Sequence, residues 1–332
     1  MKAIVIEKDE SRSLVWKDVP DPVVGDGEIK IRIGYAALNR ADLMQREGDY
    51  PPPPGCPEWM GLEVAGIIEE MGPEAAEKSG FSKGDKVCAL LGGGGYAEFV
   101  TVPYGMVMPV PDGVSLIEAA AMPEAFATAY LNLFWEGKIK PGDTLLMNAG
   151  ASGLASVVIP MAKSFGARVI TTVILDEMIK KIAHLGADIV INTRKTDITE
   201  ILKTELENGR GVDVAIDCLG GDIMGKCLHY LKHGARWIVI AALAGQYTQI
   251  DLKNIYKRNV RIVGSTLRSK TPERKSELLG ELVKTVWPKV SSGEIRPTIY
   301  KVLPITEAAE AHEILRRGEN AGKVVLCVDP EL

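Results

Sequence analysis

The sequence predicts an α/β protein in which a mainly β region precedes a doubly wound parallel sheet. Two observations carry this. From Thr144 onward the apolar runs TLLMN, RVITTV, DIVINT, VDVAIDC and ARWIVIA alternate with segments suited to helices. Such a βαβα rhythm means a parallel sheet covered on both faces. Before residue 116 the pattern is different: KAIVI, EIKIRIGYAAL, EVAGIIEEM, DKVCALL and YAEFVTV are β-rich and bounded by glycine, proline or aspartate.

Taken in order, the early strands alternate imperfectly, as partly buried strands do. PPPPGCPEW is a rigid extended loop, because each proline fixes φ and removes a donor. Gly92 to Gly95 form a turn, a flexible hairpin or a close backbone approach. SLIEAAAMPEAFATAYLNLFWEG reads as helix interrupted near Pro123. Between the later strands ASVVIPMAKSF, EMIKKIAHLG, TEILKTELENG and GKCLHYLKHG read as helices. After VRIVGST come a long helix, SELLGELVKTVWPKV, then TIYKVLP, EAAEAHEILRRGE and KVVLCVD as strand, helix and strand.

The 332 residues suit two domains. Hydrophobic residues at 46% and charged residues at 25% are the balance of a soluble globular chain. A net charge of −5 gives no electrostatic case for nucleic acid or an anionic membrane. The N-terminus has no signal-peptide core, and no apolar run is long enough to span a bilayer. Five scattered cysteines argue against a disulfide framework and for a reducing cytoplasm.

NAGASGLAS, after the strand TLLM, has the makings of a dinucleotide loop. Such a loop needs a tight turn, a glycine where backbone meets pyrophosphate, and a small residue where helix packs on strand. Gly150, Gly153 and Ala155 fill these roles, and Ser152 adds a hydroxyl. The backbone around Ala151 and Leu154 at the helix start supplies N–H donors. Pro160 inside the following helix costs about 3 kcal/mol and forces a kink. An acid about 20 residues on would bond the ribose hydroxyls. Val173 stands there instead, with Asp176 and Glu177 slightly late and suited to capping. Arg194 and Lys195, after DIVINT, either reach a 2′-phosphate or are plain loop charge.

YAALNRADLMQREGDYPPPPG, MGLEVAGIIEEMG, GDKVCALLGGGGYAEFVTVP, the glycine loop, VRIVGSTLRSKTPERKSELL and ITEAAEAHEILRRGENAGKVVLCV together resemble the zinc-free quinone oxidoreductase branch of the medium-chain dehydrogenase/reductases. The resemblance covers essentially the whole chain. It implies a GroES-like catalytic domain from residues 1–122 and 265–332, a Rossmann domain from 123–264, an active site in the cleft between them, and a homodimer pairing through VRIVGST. It implies that Asn39 and Tyr50 act on the substrate, Tyr50 by hydrogen-bonding a carbonyl as charge develops. Tyr50 otherwise reads as a packed aromatic. Thr128, Leu243 and Leu267 match positions around the nicotinamide. The positions of zinc ligands in metal-dependent relatives hold Asn39, Leu62 and Glu124, so no metal is expected. His229 and His233 have helical i,i+4 spacing but no apparent third ligand. Asp42 and Glu63 read as structural charges.

The branch's NADPH-preferring members show Gly-Ser and then a lysine after the second strand. Here Ile174, Leu175 and Met178 stand there, and Thr193 replaces a tyrosine. NADPH is the cofactor the resemblance implies; these departures admit NADH. The expected activity is reduction of quinones or related conjugated carbonyls by metal-free hydride transfer. Alternatives are an enoyl-thioester or enone reductase, and a nucleotide-poor binding protein that kept the fold.

Overall fold

A computed structural model describes residues 1–332, which divide into two compact units. The first comprises Met1–Ala127, Lys270–Gly293 and Pro297–Leu332; the second comprises Thr128–Ser269 and Glu294–Arg296.

The first unit opens with an antiparallel hairpin, β1 (Lys2–Ile6) and β2 (Leu14–Asp18). There follow β3 (Glu28–Ala37), α1 (Arg40–Glu47), β4 (Glu63–Met71), α2 (Pro73–Lys78), β5 (Lys86–Leu90), β6 (Phe99–Pro103), β7 (Val107–Pro109) and α3 (Leu116–Ala120). Ser115 and Glu118 start α3 with a reciprocal capping box. Pro123 sits at the first turn of α4 (Pro123–Tyr130), where its missing N–H costs nothing. This explains the interruption there, and a π-helical turn at Leu131–Glu136 extends the segment.

The second unit contains β8 (Thr144–Met147), α5 (Ala155–Ser164), β9 (Arg168–Val173), α6 (Asp176–Lys181), β10 (Ile189–Asn192), α7 (Ile198–Glu207), β11 (Val212–Asp217), α8 (Gly221–Cys227), β12 (Leu231–Val239), α9 (Leu252–Arg258) and β13 (Arg261–Gly264). Its six strands are all parallel, in the order β10-β9-β8-β11-β12-β13. This is the doubly wound order 3-2-1-4-5-6, with its switch point between β8 and β11. Leu146, Ile170, Leu202, Ala215 and Trp237 are buried in one cluster behind it. The indole of Trp237 donates to Asp217 Oδ2 at 3.0 Å, so the polar tip is satisfied. Pro160 lies inside α5 without ending it.

One helix is shorter than the sequence pattern suggests. LKHG belongs to β12, and α8 ends at Cys227 in a 3-10 turn, Leu228–Tyr230. The register of β12 on β11 shifts between Val212 and Val214, and Gly234 takes φ +77° there. That bulge puts polar Lys232 and His233 in a strand whose apolar signal starts only at Ala235. His229 and His233 therefore do not share a helix. They meet Asn254 and Asn259 separately, at 2.6 and 2.9 Å.

The chain then returns to the first unit with α10 (Pro272–Ser291), β14 (Ile299–Pro304), α11 (Ala308–Arg317) and β15 (Lys323–Cys327). Its seven-stranded sheet runs β14-β15-β3-β4-β5-β7, with β6 also on β3. The late strand β15 thus lies beside β3, antiparallel. Gly92 to Gly95 resolve as a close approach: Gly95 N donates to Gly61 O at 3.1 Å and Tyr96 N to Met60 O at 2.9 Å. A Cβ on Gly61 would lie 2.6 Å from Gly95 Cα, and Gly61 has φ +105°, so only glycine fits. No helix is long and apolar enough to cross a membrane.

Candidate active site

In the second unit the glycine turn leaves the end of β8 at the switch point. Gly150 N donates to Thr172 O at 2.7 Å, so that amide is already used. A Cβ on Gly150 would lie 2.4 Å from Thr171 Oγ1. Glycine is therefore needed there to seat the turn on β9. Ser152 N donates to Ala149 O, and Ser152 Oγ accepts from Ala155 N at 3.1 Å. The amides of Ala151, Gly153 and Leu154 are accepted by no oxygen of the chain. Three unspent donors before a ten-residue helix suit a pyrophosphate, through both their hydrogen bonds and the helix dipole. The residues present thus fit a dinucleotide.

The other cofactor candidates also lie in this unit. Leu243, 53% exposed, follows β12, and its N–H donates to Cys218 O at 3.1 Å. Leu267 follows β13 and is buried. Thr128 is half-buried on α4, its carbonyl accepting from Asn132 Nδ2 at 2.8 Å. Arg194 is exposed after β10. Beside it, the Asp176 carboxylate pairs with Lys195 and accepts from Asn192 Nδ2 at 2.5 Å. Lys195 first, and Asn192 second, hold Asp176 below the usual aspartate range. Ile174 and Leu175 are exposed at 54% and 40%, while Met178 is buried.

In the first unit a buried polar chain surrounds Asn39. Lys323, at the start of β15, is 4% exposed and Glu63, at the start of β4, is 0% exposed. Lys323 Nζ donates to Glu63 Oε1 at 2.6 Å, Asn39 Oδ1 at 2.8 Å and Leu38 O at 2.7 Å. All three ammonium protons are thereby matched. Asn39 Nδ2 donates to Glu63 Oε1 at 2.9 Å, and Glu124 N donates to Glu63 Oε2 at 2.9 Å. Asp42, also buried, accepts from Asn39 N at 2.7 Å, Gly61 N at 3.3 Å and Tyr96 Oη at 3.2 Å.

Burial shapes the ionisation here. It pushes the Asp42 carboxyl up to about 6, against those donors. Burial first, and the Glu63 charge second, push Glu124 up to about 7, while Lys323 and Lys275 pull it down. Tyr96 is raised well above an ordinary phenol, by burial and then by Asp42. His312, 3.4 Å from Tyr96 Oη and fully buried, is lowered to about 3 by burial, with Arg46 and Arg316 adding to the shift. Tyr50 is half-buried in the loop after α1, two residues past the left-handed Gly48. The sequence reading passed over Lys323. Its one local signal is a charge opening an otherwise apolar strand, KVVLC.

Two family models match, an alcohol dehydrogenase GroES-like domain over residues 25–112 and a zinc-binding dehydrogenase over residues 153–284. The chain is 28% identical to the quinone oxidoreductase of Mus musculus over 93% of its own length and 92% of the relative's. It is 28% identical to a 2-haloacrylate reductase of Burkholderia, covering 98% of each. The solved quinone oxidoreductase of Thermus thermophilus, studied also in complex with NADPH, is 30% identical with a TM-score of 0.82, covering 99% of this chain and 100% of that one. Zinc does not fit the residues present. Asn39 spends its oxygen on the Lys323 ammonium, Leu62 offers no donor, and a cation already sits against Glu63. The chain belongs to the zinc-free quinone oxidoreductase branch of the medium-chain dehydrogenase/reductase superfamily.

Proposed function

We propose that this oxidoreductase reduces quinones or related conjugated carbonyls with a nicotinamide dinucleotide. The observation that carries the reading is the set of unspent amides of Ala151, Gly153 and Leu154 at the head of α5. The bound dinucleotide would supply hydride; the chain's own residues bind, orient and protonate. Ala151, Ser152, Gly153 and Leu154 hold the pyrophosphate, with Gly150 shaping the turn. Thr128, Leu243 and Leu267 frame the nicotinamide. Asn39 stays rigid because its carboxamide joins Lys323 to Glu63, and Tyr50 donates toward the acceptor carbonyl.

The coenzyme reading is NADH as readily as NADPH. At the ends of β9 and β10 the Lys195 charge is matched by Asp176, and the rim of Ile174 and Leu175 is apolar. Arg194 is left to meet a 2′-phosphate, against the Asp176 carboxylate, which suits ribose hydroxyls better than a dianion. A second reading, reduction of a conjugated acid or thioester, is favoured by the likeness to the 2-haloacrylate reductase. A homodimer through the edge strand β13 accords with its exposed Arg261 and Ile262.

The test is a fluorescence titration with NADH and NADPH, followed by turnover on a benzoquinone and on crotonyl-thioester. Binding of either coenzyme with faster benzoquinone turnover supports the reading. Preference for the thioester selects the second. Binding of neither leaves a protein that kept the fold without its cofactor.

A further inference from the structure

At the start of α4 the backbone amide of Glu124 meets the Glu63 carboxylate, and the surroundings of the two acids differ. Glu63 is fully buried and receives Lys323 Nζ, Asn39 Nδ2 and the Glu124 amide at 2.6 to 2.9 Å. Every one of its donors is supplied by the first unit. The Glu124 carboxyl, on a half-buried residue, receives no hydrogen bond from the chain. A carboxyl without donors holds its proton more tightly than one that has them. Glu63 also accepts from the Asn39 side chain on one oxygen and from the Glu124 backbone amide on the other, which ties the start of α4 to the residue proposed to bind substrate.

We propose that Glu124 is a catalytic proton donor, delivering its carboxyl proton to the acceptor oxygen during reduction. The inference rests on the oxidoreductase reading above. As hydride arrives, a C–H bond forms on the conjugated acceptor and the electron pair of its double bond moves to the carbonyl oxygen. The Glu124 O–H bond then breaks, an O–H bond forms on the acceptor, and the carboxylate takes a proton back from water. The charged groups facing Glu124 are Glu63 on β4, Lys323 on β15, Lys275 on α10 and Asp42 on α1. Burial and the two acids favour its protonated form, and the two lysines oppose it. The acid is thus poised to give up a proton near neutrality.

Glu124→Gln keeps the size and the Glu124 N–H to Glu63 contact while removing the acid. In the protein without coenzyme, infrared difference spectra between pH 5.5 and 8.5 are expected to show a protonated carboxyl band that is lost on raising pH. The component of that band titrating near 7 should be missing from Glu124→Gln, while the Asp42 component near 6 remains. In steady-state kinetics the wild-type kcat should fall as pH rises past about 7. The variant should lose that limb and about 10² in kcat, with its Kd for NADH or NADPH unchanged. Glu124→Asp should restore part of the rate. An unaltered infrared titration, or a variant with the wild-type pH profile and kcat, overturns the proposal. Wild type that turns over no acceptor while the infrared band behaves as expected instead overturns the oxidoreductase reading.

Discussion

Lys323→Met tests the buried polar chain most directly. The substitution preserves an unbranched stem but leaves the Glu63 carboxylate, 0% exposed, without its counter-ion. Leu38 O and Asn39 Oδ1 lose their donor as well. Breaking a buried pair in this way costs ~3–5 kcal/mol, and two further acceptors stripped of a donor place the loss near the upper end. With a urea slope of about 3 kcal/mol/M, a loss of ~5 kcal/mol moves the midpoint by about 1.7 M. Glu63→Gln should cost nearly as much, because it leaves the ammonium buried instead. The double variant removes both charges and should lose no more than either single one, a coupling of about 3 kcal/mol or more. The assay is urea unfolding by tryptophan fluorescence and circular dichroism. Trp16, Trp59 and Trp287 report on the first unit, Trp135 and Trp237 on the second. Only the first-unit transition should move. Additive losses, or a Lys323→Met loss under about 1 kcal/mol, would refute the argument that this pair carries the site's rigidity.

Tyr50→Phe is expected to lower turnover without weakening dinucleotide binding. Unchanged rates across several acceptors remove Tyr50 from the chemistry. Arg194→Ala should raise the Kd for NADPH more than for NADH; equal changes, measured by fluorescence titration, dismiss a phosphate role. His312 is lowered from 6.5 to about 3 in the folded chain. The unfolded chain binds a proton near 6.5 where the folded one does not, so stability is full above that pH and falls as pH drops toward 3. Relative to His312→Gln, wild type should lose ~2 kcal/mol between pH 7 and 5. The raised acids Asp42 and Glu124 act in the opposite direction and are common to both proteins. A difference that does not vary with pH counts against a neutral buried ring.

The second unit was largely legible, because each parallel strand is a short apolar run and each glycine turn is a local signal. The start of β12 was not, since the bulge at Gly234 fills a strand with Lys232 and His233, which read as the tail of a helix. The β1–β2 hairpin half Leu14–Asp18 escaped for the same reason: it is half-exposed and carries charge. Glu63 and Asp42 were recognised as structural charges, but not what satisfies them. Lys323 is 260 residues from Glu63, and no pattern in a single sequence pairs positions so distant. The contact of Asp176 with Lys195 spans 19 residues across two strand ends, which hides it equally well.

That separation also has a bearing on how the protein is made. At about 5–20 residues per second, a ribosome needs roughly 13–50 s to pass from Glu63 to Lys323. Throughout that interval β4 and β3 can pair, but β3 lacks its β15 neighbour and Glu63 lacks its cation. The nascent first unit therefore waits with an open strand edge and an unmatched acid. The strand that covers the one and the lysine that neutralises the other arrive together, on the same five residues.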